Sequence, residues 1–337
     1  MDHKLIDVAK RSGVSPATVS RVLNNSSLVT KKTTERVMKA VEELNYYPNA
    51  AAKHLRSQRT RTIGVIVQDI NVAYFAEIIK GVQNTAYTLG YKVIICDADN
   101  NPEKERDYLG LLMNRTVDAL ILASSSLGDE VLIELADKGQ CIGLIGRRIA
   151  HDNIPCCLTD NVQFSSDVVN HLLDNGHRHI AYINGYPDVM DSYERLEGYM
   201  KALKERMVPF RPELIENGNF SEEGGYEAFK RLILKGIPFT AVYAANDEMA
   251  LGVSKACREL GIAIPHKMAI VGVDNNRITQ YIIPSLSTVN QPKFQLGELL
   301  TIKLIGKLND QPDDGERIMI VQSELVVRES SSRQAPD

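Results

Sequence analysis

The sequence predicts a small all-α head joined to a larger α/β body of doubly wound parallel sheets. Three observations carry this. The first 45 residues hold three short helical patterns and no strand, whereas from Thr62 onward apolar runs of strand length alternate with amphipathic helices. The two regimes also differ in charge. Residues 1–60 contain 11 Lys/Arg against 5 Asp/Glu, a net of +6, and the remainder contains 28 against 38, a net of −10. Such an asymmetry points to a polyanion-binding head on an acidic body.

In the head, Leu5 to Arg11 reads as a first helix, stopped at Ser12-Gly13, where glycine accepts the left-handed turn that a side chain resists. Ser15-Pro16 opens the second, with a hydroxyl for the free N–H groups and a ring suited to the first helical position. This helix runs to about Leu23. The third, from about Lys31 to Leu44, places Val37, Ala40, Val41 and Leu44 on one face. Val8, Ala9, Val14, Val19 and Val22 point inward in this reading. Helix, glycine turn and second helix then form a helix-turn-helix, whose second helix fits the major groove of DNA. Ser15, Pro16, Ala17, Thr18, Ser20, Arg21 and Asn24 are left to face outward. Arg21 suits guanine, Ala17 a thymine methyl, and the hydroxyl and amide groups suit base edges or phosphates.

In the body the expected strands are Thr62 to Val67, Lys92 to Asp97, Asp118 to Ala123, Ile142 to Ile145, His179 to Ile183, Ala241 to Ala244 and Met268 to Val273. One intervening helix carries Phe75, Ile78, Ile79, Val82, Ala86 and Leu89 on a single face, and another runs through Leu109, Leu111 and Leu112. Gly90, Gly139, Gly176 and Gly261 are expected helix stops. Some 270 residues exceed what one sheet usually takes, so two similar lobes are expected. Between head and body, the alanine-rich Ala50 to Arg56 is too short to be a stable helix alone in water.

Several functions are excluded at this level. No stretch approaches the roughly 20 apolar residues of a membrane span, and the first 30 residues lack an apolar signal segment, so the expected location is cytoplasmic. Cys96, Cys141, Cys156, Cys157 and Cys257 form no CxxC pair and read as reduced core residues. His171, His177 and His179 lack metal-ligand spacing. There is no P-loop, GxSxG or HExxH. No cofactor, metal or catalytic residue is expected, and Ser124 to Ser126, ending a strand, read as lining a cleft.

The run Ile6-Asp7-Val8-Ala9-Lys10-Arg11-Ser12-Gly13-Val14-Ser15-Pro16-Ala17-Thr18-Val19-Ser20-Arg21-Val22-Leu23-Asn24 closely resembles the DNA-binding head of the lactose/galactose repressor family. Glu43-Leu44-Asn45-Tyr46-Tyr47-Pro48-Asn49 and Leu55-Arg56-Ser57-Gln58-Arg59-Thr60 resemble the segments on either side of that family's hinge helix. Similar blocks continue through the body: Asn175-Gly176-His177-Arg178-His179-Ile180-Ala181, Glu194-Arg195-Leu196-Glu197-Gly198-Tyr199, Ala245-Asn246-Asp247, Val271-Gly272-Val273-Asp274 and Ser287-Thr288-Val289-Asn290-Gln291-Pro292. The resemblance spans nearly the whole chain, up to Glu329.

What the resemblance implies is a transcription regulator, a repressor or an activator, that binds a pseudo-palindromic operator as a homodimer. Its body would be a two-lobed, periplasmic-binding-protein-like (type I) domain. The head and a hinge helix at about 49–57 would occupy residues 1–60. The first lobe would take about 61–160 and 290–322, the second about 161–289 and 323–329, with crossovers near 160, 290 and 322 and a tail at 330–337. The tail shows no apolar heptads, so assembly is expected to stop at a dimer. Hinge contacts to DNA would come from Asn49, Lys53 and Leu55, with Leu55 as an apolar wedge in the minor groove. Lys53 stands where many relatives have arginine and lacks its planar fork.

The resemblance places a small effector between the lobes, at Asp69, Phe75, Ser124, Arg147, Arg195, Phe220, Asn246, Asp274 and Gln291. Two departures bear on its chemistry. Gly146 replaces an aspartate that relatives often have before the arginine, and an Asn-Pro-Phe-Phe loop reads Val72-Ala73-Tyr74-Phe75. With two arginines and one carboxylate fewer, the expectation tilts to an anionic sugar derivative or an acid; control by a partner protein is the alternative. On the α/β body alone, rival readings are a periplasmic-type binding protein or an α/β enzyme acting on a small metabolite. The first leaves residues 1–60 without a task, and the second lacks a nucleophile and base at recognisable spacing.

Overall fold

A computed structural model describes residues 4–23, 28–46, 59–187, 189–312 and 315–332. The chain divides into two compact units, Met1–Thr60 and Arg61–Asp337. In the first, α1 (Leu5–Ser12), α2 (Pro16–Leu23) and α3 (Lys31–Glu43) enclose Val8, Ala9, Val19, Val22, Val37, Ala40 and Tyr46. Each fully buried valine contributes on the order of 1.5–3 kcal/mol, so this small core matters in full. Gly13 ends α1 at φ 64°, its N–H bonded to the carbonyls of Ala9 and Lys10. Ser15 Oγ accepts from the Thr18 N–H at 3.2 Å, and Thr30 caps α3 through the Thr33 N–H at 3.4 Å. Arg11 clasps Glu43 at 2.6 and 2.7 Å, tying α1 to α3.

The second unit holds two six-stranded sheets. The first runs β11 (Ile318–Val321), β5 (Cys156–Thr159), β4 (Ile142–Ile145), β3 (Ala119–Ala123), β1 (Thr62–Val67), β2 (Lys92–Asp97). The second runs β12 (Glu324–Val326), β10 (Ser287–Asn290), β9 (Ala269–Val273), β8 (Ala241–Ala244), β6 (Ile180–Asn184), β7 (Ile215–Asn217). Pairing is parallel throughout, with Ile63 opposite Val93 and Ala119, except where β12 lies antiparallel to β10. The chain passes between sheets after β5, after β10 and between β11 and β12. Strand order reverses beside β1 in one sheet and beside β6 in the other, and such reversals open crevices at the carboxyl ends of strands.

Helices cover both faces of each sheet. In the first lobe α4 (Ala73–Thr88) packs on α12 (Lys293–Leu308) so closely that a Cβ on Gly81 would lie 2.1 Å from the Phe294 carbonyl oxygen, and one on Gly297 2.3 Å from that of Ile78. Gly90, Gly139, Gly176 and Gly261 all take positive φ where helices stop. All five cysteines are buried and unpaired.

Some elements differ from expectation. Leu89 is an exposed cap residue of α4, outside its buried face. The helix expected through Leu109 is two, α5 (Pro102–Tyr108) and α6 (Gly110–Met113). The expected tail begins later than 330, because Ser330 and Ser331 are buried: Ser330 bonds the Ile270 and Ser285 backbones, and Ser331 bonds Ser287 and His171. His177 bonds Thr240 at 2.8 Å, so two of the three clustered histidines have structural partners. No group of metal-ligating side chains is present among the described residues. Among them, too, no helix is long and apolar enough to cross a membrane.

Candidate DNA-binding face and effector cleft

In the head, the inward side of α2 is used up by Val19 and Val22, which leaves Ser15, Pro16, Ala17 and Arg21 exposed and Thr18 and Ser20 half-buried. Ser15 and Thr18 also share a hydroxyl contact of 2.9 Å, so this pair caps the helix as well as bordering its outer face. The remaining expected contacts, Asn24, Asn49, Lys53 and Leu55, lie outside the described residues.

In the body, left-handed backbones recur at or just past the carboxyl ends of strands, among them Ser124 at φ 57°, Gly146 at 76°, Phe220 at 55° and Asp274 at 116°. Non-glycine residues adopt such conformations at a cost of about 1–3 kcal/mol each, and these cluster where ligands are gripped. From the first lobe come Asp69 after β1, its Oδ1 held by Asn71, and Tyr74 and Phe75 at the start of α4, their rings edge-to-face at 5.3 Å. From the second come Asp191 and Arg195 on α9 (Met190–Glu205), Phe220 before α10 (Glu222–Leu234), and Asn246 before α11 (Asp247–Glu259).

Arg195 is the centre of this second wall and is 3% exposed. It donates to Asn161 Oδ1 at 2.9 Å and to the Ala245 carbonyl at 2.5 Å, and faces Asp191 at 3.5 Å. The rings of Phe164 and Phe220 flank its guanidinium at 5.5 and 5.7 Å. Burial pushes the Asp191 carboxyl above its usual range against the pull of Arg195, and likewise raises Glu194. Asp274 is pushed up to about 6, by burial first, with Arg195 and Lys293 opposing. Burial and the neighbouring Asp274 hold Asp247 well above the carboxylate range. Tyr74, across the cleft, is raised by burial and then by Asp191 and Asp274.

Direct links also join the lobes. Arg148 pairs with Glu194 at 2.9 Å. Gln291 accepts from Thr159 at 3.0 Å and donates to Asp274 at 2.7 Å, while the buried Lys293 donates to the Asp274 carbonyl and lies 3.8 Å from Glu77.

Three expected effector contacts are thereby assigned other work. Arg147 is turned into its own lobe, donating to the Ser125 and Leu127 carbonyls and pairing with Asp129. Asn246 caps α11 through the Met249 N–H at 2.9 Å and holds the Phe220 carbonyl at 3.0 Å, so it positions Phe220. Gln291 is a strut with both ends occupied. Of the two arginines behind the expected tilt toward an anion, Arg147 is thus engaged within its own lobe and Arg195 already faces Asp191. Sequence reasoning missed Tyr74, Asp191, Lys293 and Glu105. The first lay beside the noted Phe75. The fully buried Glu105 accepts from Gln68 and from Ser126, tying together the loops that carry Asp69 and Ser124.

Residues 4–49 match the model of "Bacterial regulatory proteins, lacI family", and residues 169–331 that of a "Periplasmic binding protein-like domain". The HTH-type transcriptional regulator RegA of Clostridium saccharobutylicum is 34% identical over 332 residues, covering 98% of this chain and 100% of that protein. The HTH-type transcriptional repressor PurR of Vibrio vulnificus (strain CMCP6) is 35% identical over 338 residues, covering 96% and 97%. Among solved structures, the lac repressor dimer bound to operator and the anti-inducer ONPF superposes with a TM-score of 0.88 at 28% identity, covering 98% of this chain and 99% of that one. Head, two-sheet body and near end-to-end identity agree, and the chain belongs to the lacI family of bacterial regulatory proteins.

Proposed function

We propose that this chain represses transcription as a homodimer that binds a pseudo-palindromic operator through the outer face of α2 and answers to a small effector held between the lobes. The observation that carries the reading is the pairing, in one chain, of a +6 head that exposes Pro16, Ala17 and Arg21 with a cleft bordered by left-handed backbones at Ser124, Gly146, Phe220 and Asp274. The comparisons support it: relatives of nearly equal length are named transcriptional regulators and repressors, and the similar lac repressor structure is a dimer holding operator and anti-inducer. For a ligand to regulate, it must bind the DNA-competent and DNA-incompetent dimers unequally, and the lobe-to-lobe links through Arg148, Gln291 and Lys293 are groups that relative lobe motion would strain.

Selection of bound DNA from a random pool tests this, followed by gel shifts on the selected duplex with and without cell extract. A two-fold related sequence is expected, with affinity falling steeply from about 50 to about 200 mM salt as counterions are released. No enrichment, or indifference to salt, defeats the reading.

A further inference from the structure

We propose that Asp191 selects the effector: from α9 it brings to the cleft the carboxylate that position 146 lacks, admitting uncharged molecules rich in hydrogen-bond donors and turning anions away. This rests on the cleft being the effector site and adds the residue that sets its charge preference.

The geometry is a replacement across the cleft. Gly146 sits in the first lobe at φ 76°, and a Cβ there would meet Ser124 Oγ at 3.3 Å and Asp191 Oδ2 at 3.8 Å. A longer side chain at 146 would run into Asp191, so the space beside the glycine belongs to a carboxylate of the opposite lobe. Asp191 Oδ1 is held by Asn161 at 3.0 Å. Oδ2 stands 3.5 Å from Arg195, longer than a charge-assisted hydrogen bond, and so keeps acceptor capacity for a donor from outside.

Charge then decides which ligands enter. The cation an anion would seek, Arg195, already faces Asp191 and feels Asp274. Arg148 is held by Glu194, Arg147 by Asp129, and Lys293 by the Asp274 carbonyl. A phosphate or carboxylate approaching Arg195 would lie beside Asp191 in a poorly screened site, where like charges repel strongly. An uncharged ligand instead gives its donors to Asp191 and Asp274 and lays its apolar surface on Tyr74, Phe75 and Phe220. Burial is what raises both carboxylates, because it withdraws the water that would stabilise their charge.

The test is thermal stabilisation and calorimetry of the full chain and of Asp191→Asn, which keeps an acceptor for Asn161. The probes are inorganic phosphate as the anion, and ribose, cellobiose and adenine as uncharged donors. Phosphate should leave the wild type unmoved and bind Asp191→Asn roughly tenfold more tightly or better, because Arg195 then loses the nearer of the two carboxylates that act on it. Any uncharged probe that binds the wild type should lose about tenfold in the variant. Asp191→Ser is the second variant should the first not fold. Phosphate stabilising the wild type, or neither variant gaining phosphate affinity, overturns the proposal. A gel shift on selected DNA is read separately: a protein that fails to bind DNA defeats the regulatory reading while the phosphate comparison still decides the role of Asp191.

Discussion

At the scale of single residues, Arg21 is the side chain on α2 best suited to reading a base. Arg21→Ala is expected to cost about 1–3 kcal/mol of specific binding and to relax one operator position; a uniform loss on every duplex would reassign it to phosphate. Asp274 gives a pH prediction with a definite sign. Its folded value is about 6 against an ordinary 3.8, so between these the native state binds more protons than the unfolded chain. Stability therefore declines as pH rises from about 4 to about 6 and is flat above, as far as this residue is concerned. Asp274→Asn should flatten that part of a urea-midpoint profile, and an unchanged slope would contradict the assignment. Arg195 and Asp274 were legible in the sequence because they lie within recognisable blocks. Asp191 was not, because its role depends on Gly146 of the other lobe, 45 residues away, and no spacing rule encodes that approach. Arg147 misled for the same reason: sequence supplies the charge but not the carbonyls of Ser125 and Leu127 that claim it.

At the scale of elements, the long buried strands were readable almost to the residue, since β1, β3, β4, β8 and β9 are apolar and buried along their length. Five strands escaped: β7, β11 and β12 at or beside sheet edges, where three or four residues with polar or half-exposed positions carry too little periodicity, and the buried β5 and β10, which are only four residues long and mix apolar with hydroxyl or amide side chains. The α4–α12 crossing is likewise invisible until the two glycines meet backbone from opposite helices. Gly297→Ala should destabilise the first lobe by about 1–3 kcal/mol, because its Cβ would press on the Ile78 carbonyl, which cannot swing aside as a side chain would. Urea unfolding checks this; a neutral effect would mean the helices can separate at little cost.

At the scale of the whole molecule, charge segregation and crossovers divide the labour: a basic head for DNA, and a body whose strands leave one sheet for the other at three places. The buried thiols give this body an internal clock. Cys96, Cys141, Cys156 and Cys157 lie in the first lobe and Cys257 in the second, and burial holds Cys157 and Cys257 up at about 12. A folded lobe thus offers a thiol reagent almost no thiolate, so modification must await local opening. Followed by mass, one adduct on the second lobe and up to four on the first would time the opening of each half separately. Effector binding should slow both series, and the lobe whose adducts appear first is the one that yields when the protein breathes.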